Sequence, residues 1–196
     1  MQKLRHILIF ILFSSSTTIL AEDDLYILDE THLSIGFLVD HAGYARTLGM
    51  FTRASGSFKY DDDNSLVSDI EIIIDTSSVF TNHDKRDSHL KSPDFLNVDQ
   101  YPEMTFKADI NDLKLNPGKI AGNLTLLGIT KPLILNATIN KIDIYPFRVG
   151  LSKPKVMGVS ATATFKRSDF GMNYAVKKKL VGDEIDLIIE FEARKQ

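Results

Sequence analysis

From about residue 25 the chain alternates apolar and polar residues, and a period of two marks a strand with one buried face. Leu33, Ile35, Phe37, Val39 and His41 share one side of such a strand. Ile70, Ile72 and Ile74 form a second stripe, and Met104, Phe106, Ala108 and Ile110 a third. Leu133, Leu135, Ala137 and Ile139 make another, followed by Met157, Val159, Ala161, Ala163 and Phe165. The last is Ile185, Leu187, Ile189, Phe191 and Ala193, which Ile188 interrupts from the opposite face. Two further strands fall near residues 48–60 and 118–127, for about eight in all. Short turn sequences separate them. Asp61-Asp62-Asp63-Asn64, Asn116-Pro117-Gly118 and Gly128-Ile129-Thr130-Lys131-Pro132 carry the residue types that reverse a chain tightly, so the neighbours are antiparallel.

Eight antiparallel strands, each apolar on one face, can close into a barrel. A barrel of this size either fills with its own side chains or holds one small ligand. Periodicity does not separate the two. The expected fold is therefore all-β, an eight-stranded antiparallel barrel, with one irregularity. Between residues 76 and 102 the alternation stops, and long insertions in compact domains are commonly lids or binding loops. Thr81 is the expected helix N-cap there, with Asp84 completing a capping-box start and Ser92-Pro93 ending the helix.

The first 21 residues follow a different rule. Lys3 and Arg5 precede the apolar run Leu8 to Phe13, and a polar stretch leads to the small residue Ala21. This is the three-part pattern of a secretory leader, with cleavage expected after Ala21 and a mature domain over residues 22–196. Export from the cytoplasm is expected. The run is short for a membrane-spanning helix.

Composition removes several kinds of chemistry. No cysteine is present, which excludes disulfides, thiolate nucleophiles and thiolate metal sites. With 23 Lys and Arg against 26 Asp and Glu, the net charge of -3 offers nucleic acid no long-range attraction. The sequence contains no phosphate-binding glycine loop, nucleophile elbow or His-Glu-x-x-His motif. The densest polar cluster is His83, Asp84, Asp87 and His89. His83 and Asp87 stand four apart, as metal ligands on one helix face would, but capping and surface ion pairs with Lys85 and Arg86 explain the same residues. His41 is either a polar handle for a ligand headgroup or a satisfied residue at the core's edge, and His32 reads as structural. Lys177-Lys178-Lys179 offers an anionic membrane surface a transient contact, or is simply solvated. The segment Arg167 to Met172 packs as a turn against the core or forms a cavity rim.

These motifs together resemble one family. Tyr26-x-x-Asp29, His32-x-x-x-x-Phe37-x-Val39-x-His41 and Gly49-x-Phe51 resemble the opening of YceI-like proteins. Arg86-Asp87-x-His89-Leu90, Phe95 and Tyr101-Pro102-x-x-Thr105-Phe106 continue the likeness. Gly122-x-Leu124-Thr125-x-x-Gly128-x-Thr130-Lys131-Pro132, Arg167-Ser168-Asp169-Phe170-Gly171-Met172 and Gly182-Asp183-Glu184-Ile185 complete it over roughly residues 25–193. Leu33 departs from the pattern, where the family often has Ser, and Lys141 to Lys155 is also less similar. The resemblance implies a secreted or periplasmic lipocalin-like barrel of eight antiparallel strands, and the periplasm is the expected location. It implies an elongated apolar pocket for a polyisoprenoid or similar long-chain amphiphile, such as an isoprenoid quinone; it does not imply catalysis, and no metal or cofactor is expected.

On that reading the candidate wall residues are Phe37, Val39, Ile72, Ile74, Phe106, Leu124, Leu135, Phe165, Leu187, Ile189 and Phe191. Candidates at the loops and mouth are His41, Phe51, Phe80, Leu90, Phe95, Phe170 and Met172. Arg86, Asp87 and His89 would hold the insertion over the barrel and face a headgroup. The carrier is expected as a monomer or homodimer. Three alternatives remain: a small outer-membrane barrel, an enzyme acting at the Arg86–His89 cluster, and a filled barrel that binds a partner. Outer-membrane barrels carry aromatic girdles, and a chain with no Trp and six Tyr is poorly supplied for them.

Overall fold

The computed structural model describes residues 23–114 and 117–196. The leader, residues 1–21, and Asn116 of the expected Asn-Pro-Gly turn lie outside the described residues.

One sheet closes on itself. In chain order its elements are β1 (Asp24–His41), β2 (Ala45–Phe51), β3 (Ala54–Asp61), β4 (Leu66–Asp75), β5 (Val79–Phe80), helix α1 (Asp84–Lys91), β6 (Glu103–Ala108), β7 (Asn111–Asp112), β8 (Gly118–Leu126), β9 (Ile129–Ile144), β10 (Lys155–Lys166) and β11 (Val181–Lys195). The spatial order runs β11-β10-β9-β8-β6-β4-β3-β1, and β1 pairs with β11 to close an eight-stranded antiparallel barrel. Short β2 continues the line of β3 along β1, from Ile35 to His41, while β5 adds to β2 and β7 to β4.

The stripes read from the sequence face inward, but their parity changes at irregularities. In β1, Tyr26 and Leu28 are buried, and after a register shift Ile35 and Phe37 are buried instead. Asp29 to His32 fill the shift, which is why alternation alone finds only the second half of this strand. The strand expected near 48–60 is two pieces for the same reason. Phe51 points in, Thr52 and Arg53 break the run, and Ala54, Phe58 and Tyr60 resume on the other parity. Arg53 Nε holds Asp75 at 2.9 Å and Thr52 N–H donates to Ser78 O at 3.3 Å, so the break is fastened to the start of the insertion. Ile110 does not join its expected stripe, because β6 ends at Ala108 and leaves Ile110 exposed. Ile188 points outward, as its parity requires.

The barrel has two unlike ends. At the end holding the N-terminus of β1, the Tyr26 and Phe58 rings stack 5.5 Å apart and Tyr60 and Phe191 meet them edge-on. Met157 and Ala193 are almost wholly buried beside them. At the other end the segment from Thr76 to Pro102 and the turn from Arg167 to Leu180 cross over the opening. Helix α1 begins two residues later than expected. His83 is its N-cap, its Nδ1 accepting from Arg86 N–H at 3.3 Å, while Thr81 is bound elsewhere. Asp84 is the first helical residue, so it completes no capping box. The helix ends at Lys91, with Ser92 as C-cap, where Ser-Pro was expected to stop it.

The outer face is charged. Lys107 meets Glu71 at 2.6 Å, Lys59 meets Asp69 at 2.8 Å, and Arg46 meets Asp186. An outer-membrane barrel has the inverse arrangement, an apolar band outside and a polar interior. The fold is that of a lipocalin-like barrel, and the outer-membrane alternative does not fit it.

Candidate ligand cavity

A cavity of about 200 Å³ lies inside the barrel, and no polar surface faces it. An apolar hole of about 150 Å³ already stays dry and accepts a hydrocarbon. Water entering this one would find none of the two to four polar partners it needs. The wall draws residues from all eight barrel strands, from Leu28 and Met157 near the stacked aromatic end to Val39, Phe165 and Ile185 near the other.

Small residues give the space its width. Ala137 and Ala161 face each other across β9 and β10 and line the cavity where branched residues would fill it. Two glycines let aromatic rings lie flat against the sheet. A Cβ at Gly49 would sit 2.2 Å from the Phe37 ring, and one at Gly122 would sit 2.4 Å from the Phe106 ring. With rings pressed onto the wall, the centre stays open.

Of the expected wall residues, Phe37, Val39, Ile72, Ile74, Phe106, Leu124, Leu135, Phe165, Leu187, Ile189 and Phe191 all line the cavity. Phe51, Leu90, Phe95 and Met172 line it from the covered end. Three candidates lie elsewhere. His41 follows a register shift after Val39 and is exposed, so it leaves the inward stripe. Phe80 alternates outward in β5, where Val79 takes the inward position. Phe170 is buried behind the wall, its ring edge-on to Phe165 at 5.4 Å. Sequence reasoning missed Phe58, Tyr60, Val67 and Leu96, which also line the cavity. Parity counted through the two register shifts would have found the first two.

The polar cluster on the insertion is a clasp. Asp87 is buried and accepts from Thr81 N–H at 2.9 Å and from the Thr81 hydroxyl. Arg86 donates to Thr81 Oγ1 and to its carbonyl, each at 2.7 Å. His89 meets Asp94 at 2.9 Å and packs edge-on against Phe95 and Tyr174. None of the three lines the cavity, so the wall offers no headgroup contact from them. His83 caps the helix and Asp87 is held by Thr81, so the pair does not converge on a metal position.

Among the described residues, Asp29, His32 and Glu192 bring ligand atoms within 4.8 Å of one another. Arg194 donates into the same Asp29 Oδ2 that His32 meets at 2.8 Å, which supplies the neutralising charge. Burial would raise the Asp29 carboxyl, but its bonds to His32, Thr31 and Arg194 outweigh that and hold it well below the ordinary range. The bond to Asp29 in turn raises His32. These residues fasten the bulge in β1, the structural part expected for His32.

The most buried charged residue among the described residues is Arg167, at the covered end, about 1% exposed and on the cavity wall. Its Nε donates to Gly182 O at 2.7 Å, and one Nη donates to Met172 O at 2.8 Å. The other Nη reaches Tyr174 O at 2.8 Å and Val181 O at 3.0 Å. The guanidinium sits 5.7 Å above the Phe95 ring. Burial pushes its pKa down and the Asp183 carboxylate partly opposes this. Asp183 itself is bonded to Ser168 N–H at 3.0 Å and Oγ at 2.8 Å.

The model of the YceI-like domain matches residues 26–193. The chain belongs to the YceI-like family. It is 34% identical to Protein YceI of Escherichia coli O17:K52:H18 (strain UMN026 / ExPEC) over 193 residues, 95% of this chain and 93% of that one. A UPF0312 protein of Shewanella baltica (strain OS185) is 35% identical over 172 residues, covering 84% and 85%. Among solved structures, the Campylobacter jejuni YCEI protein superposes with a TM-score of 0.69 at 25% identity, over 97% of this chain and 99% of that chain. Burkholderia cenocepacia BcnA gives 0.70 at 18%, over 84% and 98%, and shares the fold. So does a polyisoprenoid binding domain from Saccharophagus degradans, at 0.63 and 15%, over 87% and 98%.

Proposed function

We propose that this YceI-like protein binds and carries a long-chain amphiphile in the periplasm, with the hydrocarbon tail inside the barrel. The polar-free cavity is the observation that carries the reading. A tail of ten methylenes gains about 8 kcal/mol gross on leaving water, before ordering and association costs. Affinity then comes from apolar wall area, which this barrel has, and not from a constellation of reactive groups. The distant structural relative described as a polyisoprenoid binding domain supports an isoprenoid tail. The clasp roles of Arg86, Asp87 and His89 support binding over catalysis. The periplasmic location rests on the leader pattern of residues 1–21. Exposed Tyr44 and Leu180, with exposed Lys177, Lys178 and Lys179, edge the covered end and suit brief contact with an anionic membrane during loading.

Organic extraction of freshly purified protein, followed by mass spectrometry, tests this. Near-stoichiometric recovery of an isoprenoid lipid is expected. An empty extract, together with failure of the purified protein to take up any isoprenoid, would overturn the reading. Release of the mature protein by osmotic shock without detergent is expected, and retention in the membrane would contradict the location.

A further inference from the structure

We propose that the tip of the β9–β10 hairpin docks this protein on an anionic bilayer, with Phe147 and Leu151 entering the headgroup layer and Arg148 and Lys153 meeting lipid phosphates. The tip stands clear of the barrel. Among the described residues β8 begins at Gly118, opposite Ala137, and β9 runs on past it to Ile144. The last rung between β10 and β11 is Val156 opposite Arg194, so residues 145–154 project beyond the stacked aromatic end. Leu151 is 96% exposed and Phe147 68%, with Ile144 exposed beside them. A Cβ at Gly150 would meet nothing within 4 Å, so the tip is a convex point and not the rim of a groove. The turn is ordered. Tyr145 N–H donates to Pro154 O at 2.8 Å, Val149 N–H to Ser152 O at 2.9 Å, and Arg148 Nη1 to Leu151 O at 3.4 Å. Gly150 takes the left-handed φ of 62° at its corner. Two large apolar side chains held out on an ordered turn are costly in water and are accounted for by a surface that covers them.

Charge identifies that surface. From Ile144 to Lys155 the chain carries Arg148, Lys153 and Lys155 and no carboxylate, in a protein whose net charge is -3. Lys155 is held by Asp62 at 3.1 Å, and the adjacent Asp143 is held by Lys141 at 3.0 Å. That leaves Arg148 and Lys153 exposed and without an ion pair among the described residues. Apolar side chains flanked by unpaired cations match the boundary between acyl chains and phosphates. The acidic turn Asp61 to Asp63 borders the hairpin through the Lys155 contact, so like charge opposes a closer approach and confines the contact to the tip. Lys141 to Lys155 is also where the sequence departs from the family pattern, which makes the docking a property of this chain and not of the barrel it shares. The tip lies opposite the covered end. Docking therefore turns the covered end away from the membrane, and Lys177, Lys178 and Lys179 cannot touch the same surface at the same time.

Flotation of the mature protein with vesicles of equal parts phosphatidylethanolamine and phosphatidylglycerol tests this, whatever the cavity holds. One basic residue near such a surface contributes about fivefold, so Arg148→Gln with Lys153→Gln should weaken binding roughly tenfold or more. Phe147→Ser with Leu151→Ser should weaken it at least as much, since both side chains lose their place in the interface. All four side chains are exposed, so both variants should keep the urea midpoint of the unaltered protein. A Lys177→Gln, Lys178→Gln, Lys179→Gln variant should bind within roughly twofold of the unaltered protein, because those charges lie beyond screened reach of the docked surface. The chain has no cysteine, so Ser152→Cys carries a single environment-sensitive fluorophore. Its emission should shift to the blue on the vesicles, and that of the same label on Lys178→Cys should not. Failure of the unaltered protein to float would overturn the proposal and leave the carrier reading standing. Flotation kept by both hairpin variants and lost by the lysine variant would put the contact at the covered end and overturn it too. Absence of flotation together with a dimer that the Phe147→Ser, Leu151→Ser variant loses would assign the tip to a second copy of the chain, again against the proposal.

Discussion

The two ends of the barrel are closed by different physics. At the Tyr26 end the seal is made of strand residues, the stacked Tyr26 and Phe58 with Tyr60, Phe191 and Met157, so closing it is part of folding the sheet. At the α1 end the cover is made of chain that crosses over, held by polar clasps: Thr81 on Asp87 and Arg86, Arg53 on Asp75, and four carbonyls on Arg167. Aromatic packing can be lost only at the expense of the whole fold. A few hydrogen bonds can open locally at much smaller cost. On the proposed carrier reading, the difference puts entry at the covered end and makes the stacked end a fixed floor.

That contrast can be broken by substitution. Phe58→Ala is expected to cost about 3–5 kcal/mol of unfolding free energy in urea, the range for emptying a packed aromatic site. A loss below about 1 kcal/mol would mean that this end is not packed as a floor. Next comes Ala161→Phe, on the wall midway along the barrel. In a filled interior the added ring costs about 1–3 kcal/mol. In a hollow one it has room, so stability is expected to hold while the lipid recovered per protein falls. Asp87→Ala sharpens the other end. It leaves the Thr81 N–H and hydroxyl without their acceptor, a cost of about 1–3 kcal/mol. Hydrogen exchange over residues 81–91 should speed up more than in β10 or β11, and bound lipid should leave faster. Uniform acceleration through the barrel would contradict a locally opening cover.

The smallest effect belongs to the bulge near the floor. His32 is raised by its bond to Asp29, so its contribution is full below the ordinary histidine value of about 6.5 and is lost as pH rises through the higher folded value. Asp29 is lowered, so its contribution is present above about 3.9 and is lost as pH falls toward its folded value. The pair therefore stabilises most between about pH 4 and 6.5. Because His32 is half exposed, moving from pH 6 to 8 should cost only about 0.5 kcal/mol or less beyond the change in His32→Gln. The measure is the urea midpoint of each protein at both pH values.

How much of this was legible in the sequence depends on the element. The period of two gave the strand number, the closed barrel and eleven wall residues, because one-sided burial imposes alternation directly. It failed at Asp29–His32 and at Thr52–Arg53, where an irregularity flips parity and the inward residues shift by one. It failed again at His41, since strand ends are set by pairing partners far along the chain, and it said nothing of Phe80, which lies in the insertion. The insertion was visible as a break in period, and its helix end at Ser92 followed local rules. Its true cap, His83, and the Thr81–Asp87 clasp were not, because both compete for the same few polar residues. Arg167 was visible only as part of a motif. Its burial among carbonyls depends on β10, β11 and the turn between them meeting at one point.

The central claim is that the barrel encloses an oily space that a hydrocarbon chain occupies. A high-resolution crystal structure of protein purified without removal of lipid tests it most directly. The account predicts continuous elongated density between Phe106, Ile72 and Ile189, running from beneath Phe95 toward Phe58. Side chains closed together along that line, with no density between them, would contradict it.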